Sequence, residues 1–420
     1  MDTAELERRV ETVRIRKDEW ARLAISEQLA LLRRLRPRVA AVAERWVAAA
    51  AAAKGLEPGS PWAGEEWISG PYAVLHGITA LERTLVALAA GRSPLPRGAI
   101  RTRAGGQVVV DVFPVTGWDR LLLNGMRAEV WLQPGVTPAE AERELAGRYK
   151  QAPGAGAVAL VLGAGNVASI TPLDVLHKLY TEGRVCILKP NPVNDYLAPF
   201  LEEAFAEFIE RGFLTVVRGS ADVGGWLAGH PGVDEIHVTG SERTYDALRF
   251  GPGPEGAARK RRGEPLSRKR ITAELGGVGP VVVLPGRWSK ADLRFQAEHV
   301  ATQKLHNGGF NCVASQVLVL PSGWPQREAF LDALREVFRA VPTRPAYYPG
   351  AAERQAAAVR AHPGAELLDA PGDGVVPRTL IAGLDPDRAG QHAFTEETFG
   401  RCWPRPRCRA GPPGSSSRRR

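Results

Sequence analysis

The chain has 420 residues, 44% of them hydrophobic and 24% charged, with a formal charge of +9 at pH 7, so it can bury a sizeable core and two or three domains are expected. No apolar run is long enough to span a bilayer, and the acidic start Met1-Asp2-Thr3-Ala4-Glu5 is unlike a secretory leader, so no membrane association and a cytoplasmic location are expected. The positive excess is local, in Arg259-Lys260-Arg261-Arg262 with Arg268-Lys269-Arg270 and in the run up to Arg420, and lacks the interleaved aromatics of a nucleic-acid platform; it reads as a solvated loop and a loose tail.

The first hundred residues read as helices. From Glu19 to Trp46, Trp20, Leu23, Leu29, Leu31, Leu32 and Leu35 recur at roughly helical spacing, with an interruption expected near Pro37. The period then changes: 107–112 and 128–132 read as strands of a projecting ribbon. From Gly154 strands and helices alternate, the mark of a parallel sheet covered on both faces. Strands are expected at 158–162, 185–189, 214–217 and 235–238, and helices at 172–180 and 197–209. Beyond the basic cluster come a strand at 281–284, a helix at 290–304 and a strand at 317–320. The cysteines Cys186, Cys312, Cys402 and Cys408 form no disulfide framework. The histidines His177, His230, His237 and His306 are not spaced as ligands on one face, and no metal site is expected.

Chemistry concentrates in Asn307-Gly308-Gly309-Phe310-Asn311-Cys312, just before an apolar strand. A cysteine before a strand is by itself more often an inert packing residue. Held on an exposed turn and ionised, however, the thiol is a nucleophile for a carbonyl carbon. Glu274, in Glu274-Leu275-Gly276-Gly277, offers a carboxylate as general base. The side-chain amide of Asn166 and the backbone N–H of Cys312 offer donors to an oxyanion. Thr239-Gly240-Ser241 lies where strand gives way to helix, which suits either a simple N-cap or a pyrophosphate.

Taken in order, Gly165-Asn166, Lys189-Pro190, His230-Pro231, Val238 to Ser241, Glu274 to Gly277, Asn307 to Cys312 and Glu396-Glu397-Thr398-Phe399-Gly400 resemble the aldehyde dehydrogenase superfamily over roughly residues 150–400. The resemblance implies an α/β fold with a Rossmann-type cofactor domain, an α/β catalytic domain and a β-hairpin oligomerisation arm. On that pattern 1–103 and 147–278 bind the cofactor, 104–146 form the hairpin and linker, and 279–400 form the catalytic domain. It implies NAD(P)-dependent oxidation of a small-molecule aldehyde in a homo-oligomer, through a thiohemiacetal and a thioester on Cys312, with Glu274 and Asn166 assisting. Cofactor contacts would fall on Lys189, Gly224, Gly240, Ser241, Leu275, Glu397 and Phe399.

Pro192 stands where members preferring NAD often carry a ribose-binding glutamate, so NADP is as open as NAD. After Gly400 the family pattern stops, and 401–420 read as a disordered basic tail of a truncated or frameshifted chain with an incomplete catalytic domain. Two alternatives accompany the dehydrogenase reading: an acyl-CoA or fatty-acid reductase of the same superfamily, against which Glu274 argues, and an inactive fragment that binds nucleotide or a polyanion.

Overall fold

The computed structural model describes residues 2–152, 154–370, 375–385, 387–400 and 402–408, the last five as main chain only. Three sheets organise the chain. The first is a ribbon of β1 (Ile100–Thr102), β2 (Val108–Phe113) and β3 (Ala128–Trp131), antiparallel throughout. Its first strand begins before residue 104, the start expected for the hairpin.

The second sheet contains β4 (Val158–Leu162), β5 (Val185–Lys189), β6 (Leu214–Val216), β7 (Glu235–Gly240) and β8 (Arg270–Leu275) in the order β6-β5-β4-β7-β8. All its pairings are parallel. Val158 to Val161 and all of β5 are buried, as expected for strands covered on both faces. From β4 the chain builds outward to β6, then crosses back to place β7 on the other side of β4. The order therefore reverses between β4 and β7, and in an open parallel sheet the crevice beyond such strand ends is where ligands bind. The loop carrying Asn166 leaves β4 at this point, and Gly240-Ser241 closes β7.

The N-terminal helices share a core with this sheet. Trp20 is fully buried, donates its indole N–H to Leu179 O at 2.9 Å and packs against Tyr180 and Phe213. Helix Ile25–Ala53 runs through Pro37 without the expected interruption. An interior proline costs about 3 kcal/mol. The buried stripe Leu31, Leu32, Leu35, Val39, Val42 and Trp46 offsets it, because each such side chain contributes about 1.5–3 kcal/mol.

The basic stretch is also more ordered than a loop. Gly253–Arg262 is a helix, and Lys260 donates to Glu242 and Asp246 at 2.7 Å each, tying it to helix Glu242–Phe250.

The third sheet contains β9 (Pro280–Val282), β10 (Val317–Pro321), β11 (Ala365–Leu367), β12 (Thr379–Leu384) and β13 (Cys402–Cys408) in the order β11-β12-β13-β10-β9. The expectation of a loose tail from 401 is corrected here, since residues 402–408 form an interior strand parallel to both β12 and β10. The cause is local apolar content: Cys402 and Trp403 are fully buried, with Trp403 packed on Phe338 at 5.8 Å between ring centroids. Arg401 and residues 409–420 lie outside the described residues. No helix is long and apolar enough to cross a membrane among the described residues.

Candidate active site

The thiol loop follows helix Lys290–Leu305, whose Ser289 and Asp292 form a reciprocal N-terminal cap. Asn307, Gly308 and Gly309 have φ of 52°, 66° and 83°, three consecutive left-handed residues that turn the chain sharply toward Cys312. At Gly309 a Cβ would stand 2.5 Å from the carbonyl oxygen of Gly400, so only glycine allows the 398–400 segment to close on this loop. Cys312 is exposed, while Asn311, Ala314, Ser315 and Gln316 around it are buried. The thiol thus projects from a fixed support.

Asn166 reaches the same loop. It is buried, and its amide nitrogen donates to Phe310 O at 2.9 Å, two residues before the thiol. An amide nitrogen has two hydrogens, so one remains for an oxyanion. The carbonyl of Asn166 accepts from Asn307 Nδ2 at 3.0 Å, Tyr347 OH at 3.0 Å and Lys54 Nζ at 3.4 Å. Glu274 stands exposed at the end of β8, beside Thr239 in register, with no hydrogen bond or ion pair among the described residues. It is free to bind water, and no contact fastens it to Cys312.

Of the residues expected to hold the cofactor, Lys189, Gly240 and Leu275 stand at the carboxyl ends of β5, β7 and β8. Lys189 ends β5 and is buried, with Pro190 O at 3.3 Å as its hydrogen-bond acceptor; burial pushes its ammonium pKa down. A Cβ on Gly224 would touch the Lys189 stem at 3.4 Å, so the two expected residues are neighbours. Ser241 caps helix Glu242–Phe250, its Oγ accepting from Thr244 N at 3.2 Å. The N-cap role is therefore real, and the helix begins directly after β7. Leu275 pairs with Gly240 in register.

Glu397 lies against the turn after β8: a Cβ on Gly276 would come within 1.8 Å of its Oε2. Burial raises the carboxyl pKa to about 7, opposed by Lys304, Arg354 and the N–H of Gly277, and Oε1 is buried without a partner. An orphaned acceptor near the Lys304 ammonium fits a ligand that donates hydrogen bonds, such as a hydroxyl group. Phe399, with φ of 40°, packs on Tyr348 at 4.9 Å and Phe310 at 5.8 Å, and Arg354 donates to the carbonyls of Thr398 and Phe399.

Several polar residues at this site gave no signal in the sequence. Lys54, Glu66, Tyr347, Lys304 and Gln316 sit in segments that read as packing helices, loops or strand starts. Lys304 is fully buried, donates to Gln316 Oε1 at 3.2 Å, and has its pKa pushed down to about 8 by burial. The same Gln316 oxygen accepts from Thr398 Oγ1 at 3.0 Å, fastening the Glu397 segment to the thiol loop. A buried lysine eight residues before a cysteine would have been the one available cue.

The reversing parallel sheet, with the Asn166 loop at its carboxyl end tied to the thiol loop, defines an α/β protein. The profile of the aldehyde dehydrogenase family matches residues 150–361, and the chain belongs to that family. It is 29% identical over 175 residues to aldehyde dehydrogenase LUC3 of Fusarium sp, a match covering 41% of this chain and 34% of the relative. To the N-succinylglutamate 5-semialdehyde dehydrogenase of Chromobacterium violaceum it is 28% identical over 184 residues, covering 43% of this chain and 34% of that protein. The matched stretch thus spans about a third of these curated relatives. Among solved structures, the fold is shared with an NAD-dependent aldehyde dehydrogenase from Sinorhizobium meliloti, with a TM-score of 0.64, 21% identity, and coverage of 97% of this chain and 71% of that one. It is also shared with the substrate-bound AldH of Staphylococcus aureus, with a TM-score of 0.65, 15% identity, and coverage of 98% and 76%.

Proposed function

We propose that the chain oxidises a small-molecule aldehyde to a carboxylic acid, with Cys312 as nucleophile and NAD or NADP as electron acceptor. The observation that carries the reading is the hydrogen bond from the buried amide of Asn166, in the loop after β4, to the carbonyl of Phe310, two residues before the exposed thiol. In this reading the sheet β4 to β8 holds the cofactor and the third sheet presents the thiol. The exposed Trp118, Leu121, Leu122 and Met126 beside the ribbon form the surface for a second subunit.

The Cys312 thiolate attacks the aldehyde carbonyl carbon, and the oxyanion receives the free N–H of Asn166 and the Cys312 backbone N–H. The nicotinamide, when bound, supplies the hydride acceptor. Lys189 and the helix start at Ser241 suit its ribose and pyrophosphate, and Glu397 and Phe399 its nicotinamide end. Loss of hydride from the thiohemiacetal carbon leaves a thioester on Cys312. Glu274 takes a proton from water, which attacks the thioester and releases the acid and the free thiol. Position 192 itself carries no carboxylate: Asn191 caps the start of the Pro192–Leu197 segment, and the first acidic group after Lys189 is Asp195, in the first turn of that segment and near enough to act on the Lys189 ammonium, so both NAD and NADP stay in the assay.

Aliphatic and aromatic aldehydes incubated with NAD and NADP test the reading by absorbance of the reduced cofactor. Cofactor reduction that falls at least about 10³-fold on Cys312→Ser supports it. Reduction unaffected by that substitution, or NADPH oxidation seen only with an acyl-CoA, overturns it.

A further inference from the structure

A buried ion pair lies directly behind the thiol site and has no part in the mechanism above. Lys54, at the end of helix Ile25–Ala53, and Glu66, in helix Ala63–Trp67, are 3% and 1% exposed and pair at 2.7 Å. Lys54 Nζ also donates to Asn307 Oδ1 at 3.0 Å and to Asn166 O at 3.4 Å, and lies 5.0 Å from the centre of the Tyr347 ring. Tyr347 OH donates to Asn166 O at 3.0 Å and Asn307 Oδ1 at 3.2 Å. Asn307 Nδ2 in turn donates to Asn166 O, Phe310 O and Asn311 Oδ1. Every route from this pair ends on the two loops that carry Asn166 and Cys312.

Burying two charges is expensive, and an apolar pair of similar volume would often stabilise a core equally well. The attraction between the two charges offsets that cost where further hydrogen bonds satisfy the ammonium. An ammonium has three protons, and here they meet three acceptors from three separate segments. Two of those acceptors belong to the residues that set the oxyanion amide and the left-handed turn before the thiol.

We propose that Lys54, held by Glu66 and seconded by Tyr347, is a positioning residue for the thiol site: it fixes the Asn166 peptide and the Asn307 side chain so that the Asn166 amide keeps its aim toward a carbonyl bound at Cys312. This rests on the roles proposed for Cys312 and Asn166. It predicts a particular division of effects. Reactions of the thiol that develop an oxyanion depend on Lys54, and reactions that do not develop one are indifferent to it.

Two probes separate these classes without cofactor. With p-nitrophenyl acetate the thiolate attacks the ester carbonyl, the carbon–sulfur bond forms through an oxyanion, and p-nitrophenolate leaves with the electron pair of the broken carbon–oxygen bond. Water then hydrolyses the thioester to acetate and free thiol. Iodoacetamide is attacked at a saturated carbon and releases iodide with no oxyanion. The variant Lys54→Met with Glu66→Leu removes both charges together, so no buried charge is orphaned. Tyr347→Phe removes one donor with no change of charge and serves if the double variant fails to fold.

In the full chain, acylation of Cys312 is expected to slow about tenfold in the double variant and about threefold in Tyr347→Phe. Alkylation stays within about twofold of the unsubstituted chain. Acylation and alkylation that fall together, or that both stay unchanged, overturn the proposal. An unsubstituted chain that is alkylated at Cys312 but never acylated removes the parent reading and this one with it. Normal acylation that the substitutions leave untouched removes this one alone.

Discussion

Replacing Lys304 with methionine should make the protein more stable at neutral pH, although it deletes a hydrogen-bonded residue at the heart of the site. The Lys304 side chain is fully buried, and its ammonium titrates at about 8 instead of 10.5. A depressed pKa in a base means that the unfolded chain binds the proton more tightly than the folded one. The cost of carrying the charge is fully present below about pH 8, shrinks as pH rises, and is gone above the unfolded value near 10.5. The shift corresponds to about 3 kcal/mol. Methionine matches the length of the stem and gives up the bond to Gln316, worth about 1 kcal/mol. Lys304→Met should therefore gain about 2 kcal/mol at pH 7 and lose about 1 kcal/mol above pH 10.5. Urea titrations of both proteins across pH 7 to 10.5 measure the difference. A variant less stable than its parent by the same amount at every pH would refute the argument, because the penalty would then not arise from the proton.

Two further outcomes follow from glycines at the site. Gly309→Ala should cost at least about 2 kcal/mol, from its left-handed φ and its 2.5 Å approach to Gly400 O, and should blunt Cys312 alkylation; thermal denaturation and thiol labelling report both. Gly276→Ala leaves the backbone unstrained but displaces the Glu397 carboxylate, so NAD or NADP should bind about tenfold more weakly with little change in unfolding midpoint. In the parent chain, Glu397 is neutral below about pH 7 and charged above it. Titration calorimetry should accordingly show cofactor affinity rising from pH 6 to pH 8, and the Gly276→Ala variant should flatten that rise.

The parts of the site legible in the sequence are those whose cause is local. Buried strands announce themselves by continuous apolar runs such as Val158 to Leu162. The thiol turn announces itself by consecutive glycines that permit positive φ. The parts that were hidden depend on contacts far along the chain. Lys54 closes an alanine-rich helix and looks like a solvated end charge, yet two of its three acceptors lie 112 and 253 positions away. Pro37 looks like a break until the buried stripe on either side of it is weighed. Cys402–Cys408 looks like a loose basic tail because two prolines and two arginines mask a strand whose described buried side chains are Cys402 and Trp403.

That last strand has a consequence for biogenesis. β10 and β12 do not touch each other across the sheet; each pairs with β13. During synthesis the second sheet is complete once residue 275 has emerged, whereas the third sheet exists as two separate flaps, β9 with β10 and β11 with β12, until residues 402–408 arrive between them. Cys312 is thus made about ninety residues before the scaffold that steadies it, and a protease cut or translational stop just after Gly400 would leave a thiol-bearing half-sheet with a raw edge.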